Sequence, residues 1–187
     1  MNFSMQEKLD LLKAWVCISF AFALLMKSVW LPEFPLFFLI SSITVGAGFL
    51  LHEIAHKAVA HNYSCYTEFR ADNKMLVLAV ISSFFGFVFA APGAVIIHGR
   101  ITKERNGKIS IAGPLSNIAL ALLFLLLSLA FKDAFYGIFS YGFNINSFLA
   151  LFNMIPVMNF DGKKILEWSK PVYFSTLVIS VILVIIR

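Results

Sequence analysis

Charge is scarce in this sequence. Only 13% of its 187 residues are Asp, Glu, Lys or Arg, against 60% that are hydrophobic, and an ordinary soluble domain carries about twice that charged share. A chain with so little charge cannot present a water-compatible surface, which excludes a soluble globular fold. Cysteine is nearly absent too. Cys17 and Cys65 are too few and too far apart for a disulfide framework or a CxxC metal site, so they read as packing residues. There is no internal repeat and no low-complexity linker, so residues 1–187 form one domain. The Lys and Arg residues give a net charge of +5 but are scattered through short loops. Without a basic helix or an aromatic-interleaved basic patch, nucleic acid is excluded as a partner. No small-residue cleavage site follows the opening MNFSMQEKLDLLK, so the first apolar segment is expected to be a retained helix rather than a signal peptide.

What the sequence has is long uncharged apolar runs, among them many of its 21 Phe residues. A hydrocarbon core of about 30 Å is crossed by roughly 20 apolar residues in a helix. Five runs meet that requirement: 14–30, with Lys27 able to snorkel, 35–60, 109–131, 134–160 and 171–186. A sixth, 75–97, contains Gly86, Pro92 and Gly93 and leads into the β-like AVIIHGRIT. It is expected to dip into the bilayer and return. Asn106-Gly107, between that stretch and KISI, is a hairpin signal, so a β-ribbon at the membrane surface is expected within 94–111. The positive-inside rule favours the same topology. With a re-entrant segment, 12 basic residues share one side and only Lys27, Lys132 and Arg187 lie opposite, whereas a crossing would give 7 against 8.

The second run ends in GFLLHEIAHKAVAH. His52 and His56, four apart, lie on one helix face about 6 Å apart along the axis, so both imidazoles can reach one tetrahedral zinc. Glu53 then sits beside the metal rather than on it. There it can take a proton from a metal-activated water and return it to the leaving amine. Ionisable groups at bilayer depth are costly and mark a function. Two histidines leave a catalytic zinc one protein ligand short. Asp161 is the best candidate for the third, in LFNMIPVMNFDGKK, where Pro156 should break the helix and free backbone groups near the site. An aspartate capping a helix end is the competing reading. Glu68 and Asp72 are the nearest alternatives in sequence.

HEIAH in one run and Asn153-x-x-Pro156-x-x-x-x-Asp161-Gly162 in a later one resemble the site-2 protease family of intramembrane zinc metalloproteases. Ala112-Gly113-Pro114-Leu115-x-Asn117 extends the resemblance from about Gly48 to Lys164. The resemblance implies His52, His56 and Asp161 as ligands of one zinc per chain and Glu53 as catalytic acid/base. Asn117 and Asn153 would hold substrate or the oxyanion; from the residues alone, both could equally be interhelical hydrogen-bonding asparagines. Gly113-Pro114 could likewise simply open a helix. There is no room for the PDZ or CBS modules of larger family members, so a bare catalytic core is expected.

The expected fold is an all-α polytopic membrane protein with five transmembrane helices, a re-entrant segment and a small β-hairpin near the active site. The expected function is hydrolysis of peptide bonds in or near transmembrane segments. Because an intact helix hides its carbonyls, the substrate must unwind, and the ribbon offers an edge strand for it. The expected partners are transmembrane protein substrates and the lipid bilayer, with self-association into a homo-oligomer left open. The expected location is the plasma membrane of a prokaryote, with the N-terminus and the active-site opening cytoplasmic. Two other functions compete: a zinc transporter, which would need further ligands along a route through the membrane, and a non-catalytic zinc-binding scaffold, which would have no use for Glu53.

Overall fold

A computed structural model of the chain describes residues 2–88, 92–99, 101–131 and 135–186. Helix α1 (Met5–Met26) starts where the Ser4 side chain accepts the Glu7 amide, and it runs on through an uncharged stretch. After a short turn, α2 (Phe34–Ser41), with Pro35 in its first turn, passes through a π-helical turn (Ser42–Gly46) into α3 (Ala47–Asn62). The three pieces form one continuous helix, Phe34–Asn62. Strand β1 (Tyr66–Ala71), α4 (Asn73–Ser83) and β2 (Gly93–His98) follow, then α5 (Lys103–Ala130), α6 (Tyr136–Asn153), α7 (Asp161–Trp168) and α8 (Lys170–Ile185).

The expected hairpin around Asn106-Gly107 is not what forms. Those residues lie inside α5, capped by Thr102, whose hydroxyl accepts the Arg105 amide. Glu104 stands in the first turn and pairs with Lys108 at 2.6 Å, one helical turn on. Gly107 serves close packing rather than a turn, because a Cβ there would overlap the Trp168 side chain. The third long helix therefore begins at Lys103, not 109, and Pro114 lies in its interior rather than in its first turn.

The partner of β2 is β1, paired antiparallel with Tyr66 opposite His98, Phe69 opposite Val95 and Ala71 opposite Gly93. The Asp72 amide donates to the Pro92 carbonyl at 2.9 Å, which extends the ladder by one residue. The segment between the strands thus leaves the sheet and returns to it. Its helix α4, capped by the Asp72 carboxylate, has 11 residues and rises only about 16 Å. The outer edge of β1 is closed by side chains. Buried Lys57 donates to both Glu7 carboxylate oxygens at 2.7 and 2.6 Å and to the Thr67 carbonyl at 2.9 Å, while Glu7 accepts the Phe69 amide at 3.0 Å.

Burial inverts the order of a soluble protein. Leu126 is 64% exposed and Ile185 73%, whereas Asn117 and Asn146 are fully buried. Apolar side chains turned outward around polar ones suit a lipid solvent. Among the described residues, three helices are long and apolar enough to cross a bilayer: Met5–Met26, Phe34–Asn62 and Lys103–Ala130. The chain is accordingly a membrane protein. The two other expected spans are shorter as helices. Tyr136–Asn153 has 18 residues, three of them asparagine, and Lys170–Ile185 has 16. The first residue of the expected 134–160 run lies outside the described residues, and its far end is non-helical because the chain leaves α6 ahead of Pro156.

The return of the 72–92 segment to its starting sheet has a labelling consequence. Single cysteines placed at Lys74 and Lys103, in a background lacking Cys17 and Cys65, should react with an impermeant maleimide from the same face of intact vesicles. Reaction from opposite faces would show that the segment crosses.

Candidate metal centre

His52, Glu53 and His56 occupy consecutive turns of α3 on its buried side. The π-helical turn just before them leaves carbonyls for other elements: Ser42 accepts the Trp15 indole at 3.2 Å and Thr44 accepts the Asn146 carboxamide at 3.4 Å. Asp161 arrives at the first position of α7, after the irregular stretch around Pro156. Gly162 lets that helix start against the Met154 carbonyl, which a Cβ would overlap.

The asparagine network sets which nitrogen of each imidazole is free. Asn146 Nδ2 donates to the carbonyls of Thr44 and Gly142, at 3.4 and 2.9 Å, so its Oδ1 is the atom that accepts from Asn117 Nδ2 at 3.2 Å. Asn117 Nδ2 also donates to the Gly48 carbonyl at 3.2 Å. Its Oδ1 therefore faces His52 Nδ1 at 2.7 Å and accepts a hydrogen bond from it. His56 Nδ1 donates to the Ile109 carbonyl at 2.8 Å. A carbonyl oxygen only accepts, so both Nδ1 atoms carry hydrogen and both Nε2 atoms present lone pairs.

Those lone pairs converge with a carboxylate. His52 Nε2 and His56 Nε2 are 3.0 Å apart, and Asp161 Oδ2 is 3.2 Å from the first and 3.0 Å from the second. Around a tetrahedral zinc with bonds of about 2.0–2.1 Å, ligand atoms are separated by roughly 3.3–3.4 Å. The triangle is close to one face of that tetrahedron. Three electron-pair donors meeting at one point are reconciled by a shared cation, and two imidazole nitrogens with one carboxylate oxygen are a donor set suited to zinc. Gly113 of α5 keeps this point open, since a Cβ there would come within 2.5 Å of Nε2 of both histidines.

A protein of Methanocaldococcus jannaschii named "Putative zinc metalloprotease MJ0611" is 45% identical over 173 residues, covering 90% of this chain and 87% of that protein. This chain belongs to that zinc metalloprotease family. A Bacillus subtilis protein named "Putative zinc metalloprotease YwhC" is 30% identical over 150 residues, 67% of this chain and 66% of that one. No family model matches the chain, and no solved structure does.

In this zinc metalloprotease, the only group of metal-ligating residues among the described ones is His52, His56 and Asp161, all buried. The Asp161 carboxylate is turned onto the two imidazoles, which answers the capping alternative. Glu68 instead pairs with Arg70 at 2.6 Å, and Asp72 caps α4. Glu53 is buried and lines a cavity of about 180 Å3 together with the three ligands, Asn117, Asn153 and Lys164. Asn117 orients His52 and has both carboxamide hydrogens committed, so it has no donor left for an oxyanion. Asn153 faces the cavity with one hydrogen bonded to the Leu149 carbonyl at 2.9 Å. Asn146 went unread in the sequence, and its only sign there was another asparagine in an apolar helix, seven residues before Asn153.

Removal of the orienting acceptor should be felt at the metal. Asn117→Ala is expected to weaken zinc binding by about 10–100-fold, measured by competition with a chromogenic chelator, while Asn153→Ala leaves zinc affinity unchanged. Equal affinities for Asn117→Ala and the wild type would remove Asn117 from the centre.

Proposed function

We propose that the protein is an intramembrane zinc metalloprotease of the site-2 protease type, hydrolysing peptide bonds in or near the transmembrane segments of other membrane proteins. The observation that carries this reading is Glu53. It is buried in the cavity beside the three convergent ligand atoms, on the same helix as two of them, without being one of them. Bound zinc would polarise the scissile carbonyl and acidify the attacking water. His52, His56 and Asp161 would hold it, and Asn117 and the Ile109 carbonyl keep both imidazoles turned towards it. Glu53 takes the proton from the attacking water and returns it to the departing amine.

The surroundings support a peptide substrate in extended form. An intact helix holds its carbonyls in i to i+4 hydrogen bonds, so a substrate helix must unwind locally before its scissile carbonyl is presented to the cavity. The sheet offers it one edge only. With Asp72 bonded to Pro92, the alternation of the ladder turns the peptide groups of Thr67 and Phe69 outward on β1 and those of Gly93, Val95 and Ile97 outward on β2. The first pair is taken by Lys57 and Glu7. Gly93, Val95 and Ile97 line the cavity, where an extended chain can add by main-chain hydrogen bonds. A zinc transporter would need ligand groups beyond His52, His56 and Asp161, and that is the single group among the described residues. The distribution of basic residues supports an orientation with the N-terminus and the active-site opening cytoplasmic, in what we read as the plasma membrane of a prokaryote.

Glu53→Gln should bind zinc as the wild type does and lose cleavage of a single-span substrate by several orders of magnitude. Near-normal turnover would reject the acid/base assignment. Val95→Pro removes one outward N–H without touching the pairing to β1. It should raise KM or abolish cleavage at unchanged zinc content, and unaltered kinetics would dismiss strand addition at β2.

A further inference from the structure

We infer that Lys164 supplies the positive charge that stabilises the oxyanion of the hydrolytic step. This rests on the protease reading above. When water adds to the scissile carbonyl, the carbon–oxygen bond forms as the carbonyl π pair moves onto its oxygen, and Glu53 receives the water proton. The carbon–nitrogen bond then breaks, the amine takes up the Glu53 proton and that of the new carboxyl group, and a carboxylate and an ammonium product leave. The oxygen that carries negative charge between those events needs a donor that the ground-state carbonyl uses less.

The asparagines do not meet that need. Asn117 has spent both carboxamide hydrogens, on Gly48 and Asn146, and Asn153 has spent one of its two on Leu149. Lys164 is the only lysine or arginine among the described residues that line the cavity. It stands three residues after Asp161 on α7, and hence on the same helix face as that ligand. Its ammonium is 3.5 Å from Asp161 Oδ1, the oxygen other than the one nearest the histidines, and among the described residues this is its single ion pair. Lys57 provides the contrast: it is buried and held by three contacts of 2.6 to 2.9 Å, as a structural lysine is. Lys164 has one long contact, a side chain one-third exposed, and N–H groups to spare in the lining of the cavity. Its neighbour Lys163 is exposed and does not line the cavity. Its charge acts where the apolar residues of the cavity wall reduce screening.

The test compares zinc-loaded wild type, Lys164→Met and Lys164→Arg in proteoliposomes, with zinc content measured on each sample. Two readouts are taken: kcat and KM on a single-span substrate, and the affinity of a phosphinic peptide, whose tetrahedral anion mimics the addition intermediate. Lys164→Met is expected to keep its zinc and its KM, to lose kcat by about 10²–10³-fold, and to lose phosphinate affinity in parallel. Lys164→Arg should restore most of both. The assignment is overturned if Lys164→Met loses zinc in proportion to activity, if only KM rises, or if phosphinate affinity is unchanged. A wild type that cleaves nothing, with or without chelator, overturns the protease reading instead. The phosphinate comparison needs no turnover, so the two failures are distinguishable.

Discussion

Four backbone carbonyls set the direction of the hydrogen bonds that lead to the two histidine ligands. Those of Thr44, Gly48, Gly142 and Ile109 can only accept, and from them the donors of Asn146, Asn117, His52 and His56 are assigned one after another. The network joins the π-helical turn, α3, α5 and α6, so the packing of the bundle and the aim of the two imidazoles are one arrangement. A buried polar group left without its partner costs about 1–3 kcal/mol, and in a bundle with apolar side chains turned outward no alternative partner is at hand. The close approaches this requires are met by glycine. At Gly48 a Cβ would overlap Asn146, and at Gly113 it would overlap the ligand imidazoles.

The sheet divides labour between its two edges. One edge is occupied by Lys57, the residue directly after a metal ligand, together with Glu7 from the first turn of α1. The sheet is thereby fastened to the helix that carries the histidines. The other edge faces the cavity. The sheet and the two histidines are thus fixed to the same helix.

Parts of this were legible in the sequence because they are local. The spacing of His52 and His56 places them on one helix face wherever that helix lies, and Pro156 announces the break from which Asp161 emerges. The long apolar runs announced the helices, though not their ends, since caps such as Thr102 and polar first turns extend a helix beyond its apolar stretch. The two-stranded sheet was misread because strand pairing is non-local. The Asn106-Gly107 signal stood close to β2, whereas the true partner, Tyr66–Ala71, is separated from it by a whole helix and carries charge. Lys164 was read only as a charge that orients the chain in the bilayer; its place in the cavity follows from how α7 docks beneath α5.

The ligands are also separated in the order of synthesis. Chains emerge from the ribosome N-terminus first, so α3 with its two histidines enters the membrane long before Asp161 exists. Until α5 and α6 have followed, His52 lacks its acceptor on Asn117, and until α7 has formed the third ligand is missing. A nascent bundle therefore holds two imidazoles without a complete centre, and the site closes only with the last third of the chain.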